Sequence, residues 1–363
     1  MVRLSIGLFM TVVLLIGVVL LSGCIKTPSL LGPTPDCEPE PEKNKVAVVI
    51  AEDGIYDTSV ISSQVLEYYE AVKKDLDIEN AGLEKFDGTT INELDKFIDG
   101  LYLEEDVGYV VLIGDDLPVA DVSENDLSNL AAIYEKLECV NRERCFNACN
   151  DLAVSCILPP VLYPNDEKVN FVLTVLETYT SYHDDFATVS SNYRESALFI
   201  ANKYLIEAEA PSERIFYDLP ATTVYNTDQD KVRSELKKKH ILLKYGCVHG
   251  SPTSVGLGIS QYGVQTTLEE YTSFAREWGT PALFVHSCSC GGIIFKMEGS
   301  RYCCWPQIFM ESGVWAYYSL SGGGDQTARM EKAFSNEETI GLAIRKNIVA
   351  QNLIFGDILA HIK

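Results

Sequence analysis

Positive charge is scarce in this sequence, with 29 lysines and arginines against 52 aspartates and glutamates and a formal net charge of −23. A field of that sign repels phosphate backbones, which argues against a nucleic-acid partner. Histidine is scarcer still, at five residues, so each imidazole is weighed singly. An internal repeat of fixed period is missing. So are the phosphate-cradling G-x-x-x-x-G-K-[ST] and G-x-G-x-x-G loops, the H-E-x-x-H helix and the G-x-S-x-G turn in the contexts they need. Those absences weigh against kinases, dehydrogenases, zincins and serine hydrolases. With 47% hydrophobic and 22% charged residues, the composition is that of a globular protein rather than a disordered or collagenous one.

The strongest localisation signal is N-terminal. Met1-Val2-Arg3 carries positive charge, Leu4 to Leu21 is an apolar run without a charged residue, and Leu21-Ser22-Gly23-Cys24 closes it with small residues before a cysteine. This resembles a lipoprotein signal peptide over residues 1–23, with Cys24 as the lipidated first residue of the mature chain. An uncleaved signal anchor is the alternative, since a run of that length nearly spans a bilayer. The small residues before Cys24 favour the lipobox. Both readings put the bulk of the protein outside the cytoplasm, held at the cell membrane, and Arg3 on the inner side agrees. Residues 24–44 follow as a tether, with five prolines and four acids between Ile25 and Asn44, a composition that stays semi-extended. About 320 residues remain, enough for one large or two modest domains.

Eleven cysteines suit an exported protein better than a cytosolic one. Cys139, Cys145, Cys149 and Cys156 cluster in an insertion-like segment, 139–156, read as two local disulfides. A zinc site is the alternative there, but the spacing lacks paired C-x-x-C knuckles. Cys303 and Cys304 are adjacent and so reach different partners, while Cys37 and Cys247 have no pairing that the sequence settles.

Beyond the tether, apolar β-rich runs alternate with helical periodicity. Val46–Glu52 reads as a buried strand, Ser59–Leu76 and Ile91–Leu103 as helices, and Tyr109–Ile113 as a second strand ending on Gly114-Asp115. A helix from Asp166 to about Tyr182 follows, then a strand at Ser196–Ala201, a short one at Ile215–Tyr217 and a charged helix at Gln229–Lys239. Further strands are expected at Ile241–Val248, Ala282–Val285 and Val314–Ser319, and a closing helix at Glu337–Ile358. That alternation predicts an α/β protein with mostly parallel sheet covered by helices. The expected division is a first subdomain at 45–185 and a second at 190–363.

Two of these strands run into reactive residues. Ile241–Val248 leads into His249-Gly250, and Ala282–Val285 leads through His286-Ser287 into Cys288. Reactive groups in open α/β sheets sit beyond the carboxyl ends of strands. A cysteine nucleophile needs an imidazole to shuttle the leaving amine's proton. Glycine after the histidine lets backbone approach a substrate, and Gly291-Gly292 permits a tight turn after the cysteine. The competing reading is structural, with Cys288 disulfide-bonded to Cys290 or elsewhere. His183, His361 and His240 are expected on the surface.

The order of motifs resembles the caspase–gingipain clan of cysteine peptidases, and the gingipain family within it. The resemblance rests on Val248-His249-Gly250-Ser251, on Leu283 to Gly291 with its Cys-x-x-Gly spacing, on Val111–Asp115 with Pro118, and on Ile340–Ala343 with Phe355–Leu359. It implies two α/β subdomains with the dyad in the second: Cys288 as nucleophile, His249 as general acid/base, and the backbone N–H groups of Gly250 and Cys288 as oxyanion hole. His286 and Cys290 depart from that pattern. The activity implied is a membrane-anchored cysteine endopeptidase acting on proteins or peptides after basic residues. No cofactor is required and no protein metal site is assigned, although calcium at surface carboxylates would be typical of the family. A catalytically silent surface binding or assembly module is the alternative.

Overall fold

The computed structural model describes residues 43–121, 133, 136–140, 150–201, 219–246, 250–251, 254–260, 263, 265–287, 305–320, 339–346 and 352–362. In chain order the elements are β1 (Lys45–Ala51), α1 (Ser59–Leu76), β2 (Glu79–Phe86), α2 (Ile91–Glu105), β3 (Val107–Ile113), β4 (Ala153–Ile157), α3 (Asn165–Asp184) and α4 (Phe186–Ser190). They continue with β5 (Arg194–Ala201), β6 (Ala221–Tyr225), α5 (Gln229–Leu236), β7 (His240–Gly246), the two-residue strands β8 (Gly250–Ser251), β9 (Ser254–Val255) and β10 (Thr266–Thr267), and α6 (Leu268–Trp278). The last are β11 (Ala282–Ser287), α7 (Trp305–Glu311), β12 (Ala316–Leu320), α8 (Ile340–Lys346) and β13 (Asn352–Gly356).

Local chemistry explains the boundaries. β3 and β4 are buried at every residue, as continuous apolar runs in a sheet covered on both faces should be. Thr58 caps α1 by accepting from Ile61 N–H. Thr90 and Glu93 form a reciprocal capping box at α2, and Thr267 with Glu270 does the same at α6. The side chains that these helices bury, such as Ile61, Val65, Leu94 and Ile98, join the sheet's apolar residues in one core.

One ten-stranded sheet runs through the molecule in the order β2-β1-β3-β4-β13-β12-β11-β7-β5-β6. Every neighbouring pair is parallel except β12 with β13. The sheet therefore consists of two parallel halves pointing in opposite directions, continuous across one antiparallel seam. The halves share a topology: β2-β1-β3-β4 on one side of the seam matches β6-β5-β7-β11 on the other. Their carboxyl ends lie on opposite edges of the sheet. This duplication of strand order leaves no periodic trace in the sequence.

The mixed α/β, mostly parallel character agrees with the sequence expectation. The closing helix at Glu337–Ile358 does not. Only Ile340–Lys346 is helical, and Asn352–Gly356 forms β13, wedged between β4 and β12. Leu353-Ile354-Phe355 is as compatible with a buried strand as with a helix, and the open slot between β4 and β12 decides it. The expected strand at Ile215–Tyr217 lies outside the described residues. Among the described residues no helix is long and apolar enough to cross a membrane.

Candidate functional site

β7 and β11 are hydrogen-bonded parallel neighbours, with Leu242 opposite Phe284 and Tyr245 opposite Ser287. Their carboxyl ends, at Gly246 and Ser287, therefore lie side by side on one edge of the sheet. His249, Cys288 and Cys290 themselves lie outside the described residues, as does Cys24. Gly250 stands in β8, whose backbone pairs with Val255 of β9. Behind this edge the sheet is aromatic: Tyr245 and Tyr317 share a hydrogen bond between their hydroxyls at 2.8 Å.

His286, two residues before Cys288, is a core residue. It is completely buried, and its ring stacks on Tyr318 at 4.3 Å between centroids. Burial, reinforced by the nearby Lys244 charge, pushes its pKa well below the ordinary imidazole value. Its burial therefore favours the neutral imidazole.

The equivalent edge of the first half is closed by protein groups. Gly114, at φ +105°, lets the chain turn off β3 against the ring of Tyr56, where no Cβ would fit. Asp115 then accepts from the Tyr56 hydroxyl at 2.7 Å and the Lys168 ammonium at 2.6 Å. Asp116 accepts from the backbone of Ile55 at 2.9 Å. Burial first, then the Asp115 charge, drives the Tyr56 phenol far above its ordinary value. The crevice between β1 and β3 is thus filled by a hydroxyl, an ammonium and a carboxylate from its own chain.

A dense cluster of ionisable groups lies elsewhere among the described residues. α1 supplies Tyr68 and Asp75, α3 supplies His183, and the segments flanking β12 and β13 supply Trp315, Asp357 and His361. Gly356, at φ +98°, makes the turn into Asp357; a Cβ there would lie 2.6 Å from the Trp315 carbonyl oxygen. Asp357 is buried with all its acceptor sites used. Oδ1 accepts from the Tyr68 hydroxyl at 2.7 Å and the Leu359 N–H at 2.9 Å, and Oδ2 from His183 Nε2 at 2.8 Å and Trp315 Nε1 at 2.7 Å. Asp75 Oδ2 lies 2.6 Å from His183 Nδ1 and 2.7 Å from His361 Nε2.

The charges are mutually supporting. Burial would lower the pKa of His183, but the Asp357 charge and hydrogen bond, then those of Asp75, raise it to about 9. Burial would raise Asp75, yet its bonds to His183 and His361 hold it far below the usual carboxylate range. Asp357 is likewise lowered against its burial, chiefly by the His183 charge.

This corrects the placement of three histidines. His183, His361 and His240 are all buried rather than on the surface. His183 is drawn inward by two carboxylates distant in sequence, and His240 opens β7, where Ser196 Oγ meets its Nδ1 at 2.8 Å. Cys139 is disulfide-bonded, while Cys156 lies inside β4 opposite Leu112 and Phe355, in the sheet rather than in an insertion. The signal for the charged cluster was present as Tyr182-His183-Asp184 and Gly356-Asp357, but its members are too far apart in sequence to be joined by pattern.

No family model matches this chain, and neither does any curated protein. Solved structures that match include the substrate-binding protein of a sugar ABC transport system from Bordetella parapertussis, at 10% identity over 84% of this chain and 80% of that one, with a TM-score of 0.20. A solute-binding protein of an ABC transporter from R. palustris, solved with 4-hydroxybenzoate, matches at 12% identity over 85% of this chain and 77% of that one, again at a TM-score of 0.20. Likeness that low carries no argument about this chain. The gingipain resemblance is not upheld: no family model and no curated relative supports it. His-Gly and Cys-x-x-Gly are short, and glycine-rich turns after apolar strands recur wherever a parallel sheet ends.

Proposed function

We propose that the protein is an extracytoplasmic binding or assembly module, tethered to the membrane through lipidated Cys24, that engages cationic peptide or protein segments at the carboxyl edge of β5, β7 and β11. The observation that carries the reading is the strand order β6-β5-β7-β11. The connection after β5 runs outward to β6 and the one after β7 runs the other way toward β11, and ligands of open α/β sheets lodge beyond the carboxyl ends at such a reversal, here between β5 and β7. The matching crevice of the first half is plugged by Tyr56 and the Asp115–Lys168 pair, so the second half supplies the working edge. The net charge of −23 favours a cationic partner and speeds its encounter at low salt. The disulfide at Cys139 suits an oxidising compartment.

The test is fluorescence anisotropy of labelled lysine- and arginine-rich peptides with the purified chain. Binding that weakens with salt, and at least tenfold on Cys288→Trp at unchanged fold, supports the reading. Equal binding by Cys288→Trp contradicts it.

A second reading, a cysteine endopeptidase, is supported by the adjacency of β7 and β11, the two strands that precede His249 and Cys288 in the sequence. The Cys288 thiolate would attack the scissile carbonyl, His249 would protonate the leaving amine, and water would then hydrolyse the thioester. Turnover of a basic-residue peptide amide, lost in Cys288→Ala, separates the two.

A further inference from the structure

Both ring nitrogens of His183 face carboxylates: Nε2 faces Asp357 at 2.8 Å and Nδ1 faces Asp75 at 2.6 Å. A neutral imidazole carries one N–H, so one of these contacts would set a lone pair against a carboxylate oxygen. Either the second proton of an imidazolium or a bound cation must therefore stand between His183 Nδ1 and Asp75. His361 Nε2 converges on the same Asp75 oxygen from the C-terminal segment, at 2.7 Å. Asp75, His183 and His361 thus offer ligand atoms that all lie within 4.8 Å of one another.

We propose that this point is a binding site for a divalent transition-metal ion of the zinc type, held by an Asp75 carboxylate oxygen, His183 Nδ1 and His361 Nε2. Two imidazoles and one carboxylate form a borderline-soft donor set that suits zinc over calcium or magnesium. Zinc needs donors at about 2.0–2.2 Å, so the three groups need only spread slightly around it. The surroundings resemble a finished site. Asp357 accepts a hydrogen bond from His183 Nε2–H, fixing the tautomer that presents Nδ1, as second carboxylates do behind metal-bound histidines. Asp357 is itself held by Tyr68, Trp315 and Leu359. The rings of Trp315 and Phe186 flank His361 at 5.2 and 5.0 Å, excluding water from that side. The Asp75 side chain keeps 18% of its surface exposed, which gives the ion an entry and a place for a water ligand.

Such an ion would tie α1 and α3, which already pack against each other, to the C-terminal segment at His361. It lies away from the β7–β11 edge and does not depend on the function proposed for that edge.

The test is zinc titration of the full chain, stripped with chelator and with its thiols alkylated so that cysteines cannot contribute. The expected result is one equivalent taken up from a nitrilotriacetate-buffered zinc solution, with a rise in unfolding temperature. Cobalt in its place should give the visible absorption of a nitrogen- and oxygen-ligated low-coordinate ion. Asp75→Asn and His361→Ala should each reduce the affinity at least tenfold. No uptake by the wild-type chain would overturn the proposal and leave a proton as the cation between His183 and Asp75. Uptake undiminished in folded variants would overturn it as well. Because the wild-type titration is decisive alone, a variant that fails to fold leaves the proposal open to refutation.

Discussion

His183 and Asp357, 174 residues apart in sequence, meet at 2.8 Å with no exposure of either side chain. Their contact ties a helix of the first half of the sheet to the turn after β13, the strand at the seam. Each is met by the partners its charge requires: two carboxylates at His183, and four N–H or O–H donors at Asp357.

Asp357→Asn should therefore be strongly destabilising although it is nearly isosteric. The amide nitrogen must face either Tyr68 O–H and Leu359 N–H or His183 Nε2–H and Trp315 Nε1–H, donor against donor in both orientations. Removing one partner of a buried pair costs about 3–5 kcal/mol. Urea denaturation of wild type and variant would read this, and a loss below about 1 kcal/mol would contradict it.

Gly356→Ala should destabilise by at least about 2 kcal/mol, because a residue with a Cβ is strained at positive φ. The added carbon would also meet the Trp315 carbonyl and the Tyr179 hydroxyl, at 2.6 and 2.7 Å. Thermal unfolding should show a lower midpoint. An unchanged midpoint would mean the turn adopts another path.

Lys168→Met should cost about 3–5 kcal/mol by stranding the buried Asp115 carboxylate. Combining it with Asp115→Asn should cost less than the sum of the single changes, since the pair shares one interaction. A double-mutant cycle in urea measures that coupling, and strict additivity would exclude it.

Acid should weaken the fold through His286. Its pKa is depressed by burial and by Lys244 of β7, so the unfolded chain binds a proton that the folded chain refuses. Stability from this group is present above the unfolded value of about 6.5 and declines as pH falls below it. His286→Phe keeps a ring against Tyr318 and should flatten the pH–stability curve between about 6.5 and 5. Parallel curves for variant and wild type would refute this.

Much of the fold was legible in the sequence, for identifiable reasons. β1, β3, β5, β7 and β11 are buried strands announced by continuous apolar runs, and α1 matches its apolar spacing from Ser59 to Leu76. β2 was missed because an edge strand reads as ENAGLEKF, mostly half-exposed and polar. β13 was missed because its place is set by the gap between β4 and β12, a tertiary fact. At the candidate edge, sequence placed His249 and Cys288 after two strands, and the register of β7 with β11 makes those strands neighbours. The cluster around His183 could not be assembled from the sequence, since its members come from four segments too far apart to be joined by pattern.

The most direct measurement of the central claim is photo-crosslinking of a labelled lysine-rich peptide to the full chain, with peptide fate followed by mass spectrometry. The account predicts crosslinks to the segments after β7 and β11, around His249 and Cys288, with the peptide recovered intact. Crosslinks confined to the β1–β3 edge, or peptide cleavage that disappears in Cys288→Ala, would contradict it.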